Sequence, residues 1–256
     1  DLNTACTSGM YAMSVASAMI KAGTINNAVI IGAEVIHPFM DWTDRNVAIL
    51  FGDGAAAFYL EAQDSEENIG IQAETLGCIA NSRDILAVNG VGLKYANQGW
   101  PLGTTEWDFE GREIFKQAIN GMQSGCEKAL SKMGISTSDV DIVIPHQANL
   151  RIIEALAQRL KVPSEKLFIN IHRYANMSAA TAPMAIVEAV EENIVKPGDL
   201  ILVPAFGAGL TWSAQLIRWG QRCEAIGESD VKLPESKETA LEIIKKVAEI
   251  HLKNPS

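Results

Sequence analysis

Apolar positions along the chain fall into two spacings, and together they predict an alternation of helices and strands. Met10, Met13, Ala16 and Ile20 mark one face of a small-residue helix that opens after Cys6-Thr7-Ser8-Gly9 and is expected to end at Gly23 as its C-cap. Ala28-Val29-Ile30-Ile31-Gly32 is a β-branched run that predicts a central strand, and Phe51 to Leu60 predicts another after the tight turn at Gly52-Asp53-Gly54. Ile69 to Ile79 alternates like a strand, and Phe109 to Met133 forms a long amphipathic helix with Ile114, Phe115, Ala118, Ile119 and Met122 on one face. Val140, Ile142, Val143 and Ile144 predict a short buried strand, after which Leu150, Ile152, Ile153, Leu156 and Leu160 recur at helical spacing. Phe168 to Ile171 reads as a strand, a second small-residue helix runs to Val195, Leu200 to Val203 is a strand, and a last one ends near Trp219.

The order repeats. Each half runs polar residue, small-residue helix, turn, apolar strand, Gly-rich turn, strand, so that Cys6 matches Asn176 and Gly52 to Gly54 matches Gly207 to Gly209. Duplication of one α/β unit accounts for this, and a pseudo-twofold axis would bring Cys6 and Asn176 into one site. The acidic stretch from Gln63 to Asn68, with Asp64, Glu66 and Glu67, is the expected boundary. It leaves residues 1–65 as the remainder of a first half, 66–220 as a second half, and 221–256 as a charged extension with one amphipathic helix marked by Ala240, Ile243, Ile244, Val247 and Ile250. From Asn81 to Trp107 no period is visible. Such a segment suits a lid or binding loop walled by Tyr95, Trp100, Leu102 and Trp107, or equally a wandering connection or dimer contact.

Composition narrows the function. A chain of 256 residues, 48% apolar, can bury a large core, and its net charge of −10 argues against nucleic acid or an anionic membrane as main partner. Cys6, Cys78, Cys126 and Cys223 are scattered without a C-x-x-C pair, which suggests neither a disulfide framework nor a zinc site and fits a reducing cytosol. No apolar run is long enough to span a bilayer, and none reads as a signal peptide. The chain begins at Asp1 without Met, in residues that read as the end of a strand, and is expected to be a fragment.

The chemistry gathers at strand-to-helix junctions. His146 and Asn149 in Pro145-His146-Gln147-Ala148-Asn149 stand where an apolar strand stops, the edge at which layered α/β folds bind ligands. A histidine there also serves simply to cap the helix or satisfy a buried carbonyl. Cys6, just ahead of a helix, meets free N–H groups and the positive end of the dipole, which favours thiolate; the alternative is a cysteine that fills space. Gly52-Asp53-Gly54-Ala55 lacks the Lys-Ser/Thr of a phosphate loop and is read as backbone geometry.

Thr4-Ala5-Cys6-Thr7-Ser8-Gly9, Phe51-Gly52-Asp53-Gly54-Ala55, Pro145-His146-Gln147-Ala148-Asn149, Asn176-Met177-Ser178-Ala179-Ala180 and Phe206-Gly207-Ala208-Gly209, in that order, resemble β-ketoacyl-acyl-carrier-protein synthase III of the thiolase-like superfamily, over Asp1 to about Trp219. The resemblance implies an α/β, duplicated αβαβα layered fold whose N-terminal half is incomplete here, about a hundred leading residues being absent, with a separate polypeptide as one source for them. It implies a homodimeric cytoplasmic enzyme that condenses an acyl-CoA primer with malonyl-acyl carrier protein, with no permanently bound cofactor and no metal. On matching positions, Cys6, His146 and Asn176 are the catalytic triad. Phe206, Gly207, Ala208 and Gly209 shape the site, with oxyanion N–H groups from Cys6 and Ala208. Arg45 falls where the family stacks on the adenine of coenzyme A, Arg151 where it meets the carrier, and Phe115 and Asn149 line the site. Ala175 and Met177 stand where the family often has Gly and Thr, Ala208 replaces a Gly, and the tail after Trp219 has no counterpart in short members. Rival readings are a secondary-metabolism acyltransferase or polyketide-type synthase on the same fold, and a non-catalytic subunit or truncated remnant.

Overall fold

The backbone repeats one order of elements twice. Helix α1 (Ser8–Lys21) is followed by β1 (Asn27–Glu34), the one-turn α2 (Arg45–Ala48) and β2 (Gly54–Glu61), and late in the chain α6 (Thr181–Glu191) is followed by β7 (Leu200–Gly207) and β8 (Thr211–Arg218). In each copy the two strands pair antiparallel, and the helix is entered through a one-turn 3-10 helix, Ala5–Thr7 or Ser178–Ala180. The structure, a computed structural model, describes residues 1–63, 68–90, 105–223, 227, 229–232 and 234–253. Asp64, Glu66 and Glu67 of the expected boundary, Tyr95, Trp100 and Leu102 of the expected lid, and Glu224 and Glu228 of the tail lie outside the described residues.

Between the copies come β3 (Gly70–Cys78), β4 (Leu86–Asn89), β5 (Glu106–Phe109), α3 (Gly111–Met133), β6 (Ile142–Val143), α4 (Leu150–Leu160) and the short α5 (Ile171–Tyr174). Strand order in the larger sheet is β3-β8-β7-β6, with β6 parallel to β7 and the rest antiparallel. One face of that sheet carries α3 and α4; α1 and α6 lie against the other and also contact β1 and β2. The described layers are therefore sheet, helices, sheet, helices.

Because β7 is covered on both faces, its residues are buried without interruption, Leu202 and Phe206 toward α3 and Ile201, Val203 and Ala205 toward α1 and α6. Each large side chain sunk there contributes about 2 kcal/mol, so the strand that reaches the site at Gly207 is among the best anchored in the molecule. Helix α1 is buried on more than one side, which explains its small residues: Ser14 and Ser17 are inside, and Gln215 donates to both the Met10 carbonyl and Ser14 Oγ.

Several expectations change. β1 is a strand, but among the described residues it pairs only with β2, and its outward side chains Val29 and Ile31 are exposed, so it is not central here. Phe168 to Ile171 is not a strand. After the single bridge of Leu167 to Val143, side-chain acceptors take the N–H groups of Asn170 and Ile171, and the chain coils into α5. The ends of the aperiodic segment form a hairpin base, β4 with β5, which also moves the start of α3 from Phe109 to Gly111. The tail helix α7 (Ala240–Lys253) forms where its apolar spacing placed it. Among the described residues no helix is long and apolar enough to cross a membrane.

Candidate active site

Cys6 sits in the Ala5–Thr7 turn ahead of α1, reached through Ala5 at φ 51°, a left-handed conformation that costs a non-glycine residue energy and collects at functional sites. Thr7 Oγ1 donates to the Thr4 carbonyl at 2.8 Å and lies 2.8 Å from Thr211 Oγ1, while Ser8 Oγ donates to the Ala5 carbonyl at 2.7 Å. These bonds tie the cysteine turn to the β7–β8 turn. There Gly207 approaches so closely that a Cβ on it would stand 2.9 Å from the Cys6 nitrogen and 3.0 Å from that of Thr7. The expectation of a thiolate is corrected. Burial pushes the Cys6 thiol up; Ser178 and Asn176 bonds pull the other way, but the balance stays above the ordinary value, so Cys6 rests as a thiol.

Asn176 is delivered by α5 and then pinned by the first Gly-rich turn. Its N–H donates to the Leu50 carbonyl at 2.9 Å and its carbonyl accepts from Gly52 N–H at 3.0 Å, a parallel bridge centred on Phe51. A Cβ on Gly52 would meet the Tyr174 carbonyl oxygen at 2.4 Å. The Gly-Asp-Gly motif is thus the seat of the asparagine loop. Asp53 secures its other side by accepting from Ile36 and His37 N–H and pairing with the His37 ring. Asn176 Oδ1 accepts from Ser178 N–H at 2.9 Å and Thr181 Oγ1 at 3.1 Å, which leaves its NH2 as the group that faces outward from the loop.

Ala175, just before it, has φ 57° and ψ −158°, a region that suits glycine almost exclusively. Ala175→Gly is expected to relieve about 1–3 kcal/mol of strain against about 1 kcal/mol of added chain entropy. The net gain should appear as a higher midpoint in denaturant unfolding with unchanged m-value.

His146 ends the strand-like run beyond β6, its N–H donating to the Pro204 carbonyl at 2.8 Å. Its side chain is 1% exposed, its Nδ1 has no hydrogen-bond partner, and burial depresses its pKa to about 3, so it is a neutral imidazole at physiological pH. It does not cap the helix. Asn149 does, its Oδ1 accepting from Arg151 N–H at 2.9 Å.

Cys6, His146 and Asn176, from segments far apart in sequence, open on one cavity of about 1060 Å³. Phe206, Gly207, Arg45, Arg151, Asn149 and Phe115 also wall it, whereas Ala208 and Gly209 do not. Phe115 therefore leaves the core face on which periodicity placed it. Trp107 of the expected lid is part of the wall as well. Sequence reasoning missed Arg112, Phe109 and Leu86; Arg112 is three positions before Phe115 on α3, the helical spacing that puts both on one side. Arg45, Arg112 and Arg151 have no ion-pair or side-chain hydrogen-bond partner among the described residues, so a chain of net charge −10 turns three free guanidinium groups to one opening. Such an arrangement suits a ligand that is anionic at one end and reactive toward a thiol at the other.

Two family models match: 3-oxoacyl-(acyl-carrier-protein) synthase III over residues 1–78, and the C-terminal region of the same family over residues 130–219. The chain is 45% identical over 249 residues to beta-ketoacyl-(acyl-carrier-protein) synthase III 2 of Vibrio cholerae, a match covering 97% of this chain and 68% of the relative. It is 42% identical over 221 residues to the synthase III of a Roseiflexus species, covering 86% of this chain and 67% of that one. The crystal structure of 3-oxoacyl-(acyl-carrier-protein) synthase III from Aquifex aeolicus superposes with a TM-score of 0.77 at 41% identity, covering 86% of this chain and 66% of that one. The chain thus spans about two thirds of the length of these relatives. A count of residues missing before Asp1 is not borne out, since the matches do not place the remainder of the relatives' length at either end. The tail beyond Trp219, in contrast, has a counterpart in the Vibrio relative, because 249 aligned residues exceed the 219 that end there.

Proposed function

Because the chain belongs to the 3-oxoacyl-(acyl-carrier-protein) synthase III family, it is an acyl-transferring condensing enzyme of fatty-acid synthesis, and we infer that Cys6, His146 and Asn176 carry the reaction. The substrates are an acyl-CoA primer and malonyl-acyl carrier protein. In the first half-reaction Cys6 attacks the primer thioester, forming the acyl-cysteine as the bond to coenzyme A breaks; the thiol proton of Cys6 leaves with the departing coenzyme A thiolate. On the family resemblance the N–H groups of Cys6 and Ala208 steady the tetrahedral oxyanion; Gly207, next to Ala208, packs against the Cys6 nitrogen, although Ala208 itself is not part of the cavity wall.

In the second half-reaction the Asn176 amide and the neutral His146 imidazole hold the malonyl thioester carbonyl. The C–C bond to the carboxylate breaks, CO2 departs, and the electron pair passes into an enolate that these two groups stabilise. The enolate carbon attacks the acyl-cysteine carbonyl, expelling the Cys6 sulfur, which regains a proton, and the β-ketoacyl chain leaves on the carrier. Arg45 stacks on the adenine of coenzyme A and Arg151 meets the carrier, as the family resemblance implies, and Arg112, which lines the same cavity, offers a guanidinium to a substrate phosphate. Residues 1–65 and 66–220 act in this reading as two related halves, one giving the nucleophile and the other the enolate stabilisers. A homodimer in the cytosol is proposed on the family resemblance alone.

The observation that carries the reading is the convergence of a thiol, a neutral imidazole and an amide NH2 on one cavity rimmed with arginine. Intact-protein mass spectrometry against a panel of acyl-CoA thioesters tests it. One acyl mass is expected on the unaltered chain and none on Cys6→Ala, and the acylated chain should release CO2 from malonyl-carrier protein. Absence of single-site acylation, or identical behaviour of Cys6→Ala, overturns the assignment.

A further inference from the structure

We propose that Gln147 is a positioning residue for the decarboxylation half-reaction, its buried side chain setting the separation of His146 and Asn176. The proposal rests on the roles just given to those two residues. Gln147 follows His146 directly and is 0% exposed. Its amide uses all of its hydrogen-bonding capacity. Nε2 donates to the Pro145 carbonyl at 2.7 Å and the Phe168 carbonyl at 3.3 Å, and Oε1 accepts from the N–H groups of Asn170 at 3.0 Å and Ile171 at 3.2 Å.

The last two are the free N–H groups that open α5, where the Asn170 side chain makes no capping bond of its own. One side chain therefore grips the backbone just before His146 and the backbone that launches the single helical turn ending next to Ala175 and Asn176. A four-residue helix cannot hold itself. Glu188 of α6 grips its far side, accepting from Asn170 Nδ2 at 2.8 Å, Arg173 Nη1 at 2.5 Å and Tyr174 Oη at 2.9 Å, but this clamp has no bond to the His146 segment. Gln147 supplies that link.

Cys6 is seated otherwise. The side-chain bonds that hold its turn run among residues 3–8 and to Thr211, with Gly207 packed against it, and none runs to Gln147; only the thiol itself reaches the asparagine loop, through Ser178 and Asn176. Loss of the Gln147 bonds should consequently separate the half-reactions, a consequence that general destabilisation would not have.

The test is Gln147→Met in this 256-residue chain, a side chain of similar length without the amide. Single-turnover acylation by an acyl-CoA, CO2 release from malonyl-carrier protein by the preacylated chain, and thermal unfolding are measured together. Since misplacement by about 1 Å costs about 100-fold, CO2 release should fall by about that factor while acylation stays within about threefold. Equal loss in both steps, or loss in neither, overturns the proposal. If the Met variant does not fold, Gln147→Glu, which keeps acceptor oxygens, takes its place under the same criterion; failure of both to fold gives Gln147 a merely structural role and also overturns it. An unaltered chain that neither acylates nor releases CO2 brings down the reading of the site, and this proposal with it, whereas an active unaltered chain confines any failure to Gln147.

Discussion

Asn176→Asp is expected to slow malonyl decarboxylation by about 1000-fold while slowing Cys6 acylation only about tenfold. The difference follows from which atom of the side chain is already engaged. Oδ1 is held by Ser178 N–H and Thr181 Oγ1, so an aspartate keeps one oxygen there and turns the other, negative, to the place of the amide NH2. The enolate oxygen develops charge where a donor has become an anion. Two unit charges about 4 Å apart at an effective dielectric near 20 repel by about 4 kcal/mol, close to three decades of rate. Acylation forms its oxyanion at the Cys6 and Ala208 N–H groups instead and suffers mainly through Cys6, whose thiol loses the Asn176 bond that favours its ionised form. Parallel rapid-quench measurements of acyl-cysteine formation and CO2 release check this. Equal losses in the two steps would remove Asn176 from enolate stabilisation.

Folding stability is expected to fall steeply with acid because of His146. Its pKa is about 3 in the folded chain against 6.5 ordinarily, the cause being burial. Between those values the unfolded chain binds a proton that the folded chain refuses, so the contribution is complete above about pH 6.5 and is lost as pH falls toward 3. The full interval corresponds to about 5 kcal/mol, a large share of the 5–15 kcal/mol typical of a domain. Urea unfolding from pH 7.5 down to 4 should show this slope in the unaltered chain and a flatter one in His146→Gln. Equal slopes would mean that the imidazole is reached by water or protonated without unfolding.

Much of the fold was legible in local pattern. The periods of α3, α4 and α7 and the β-branched runs of β1 and β7 lie within each segment, where spacing and propensity act. Cys6 and Asn176 were legible as a pair, because the duplicated order of elements implied that equivalent turns meet; His146 joined them through the family resemblance, and nine of the eleven residues singled out for the site line its cavity. Phe168 to Ile171 was misread for a definite reason. Its β-branched and aromatic residues favour a strand, but the Gln147 acceptor and the Glu188 clamp from outside the segment offer better partners for a helical turn. Arg112 stayed hidden because its neighbours across the cavity, Arg45 and Arg151, are remote in sequence.

The sequence by itself determined most of the helices and strands, since each depends on residues within a few positions of one another, and the internal repeat, which two stretches of the chain show when set side by side. Only the tertiary structure decided that Cys6 rests as a thiol, that His146 is held neutral, that Asn176 presents its NH2, and that Gln147 joins the last two. Charge state and side-chain orientation depend on what excludes water and which groups donate nearby, and here those neighbours arrive from distant parts of the chain.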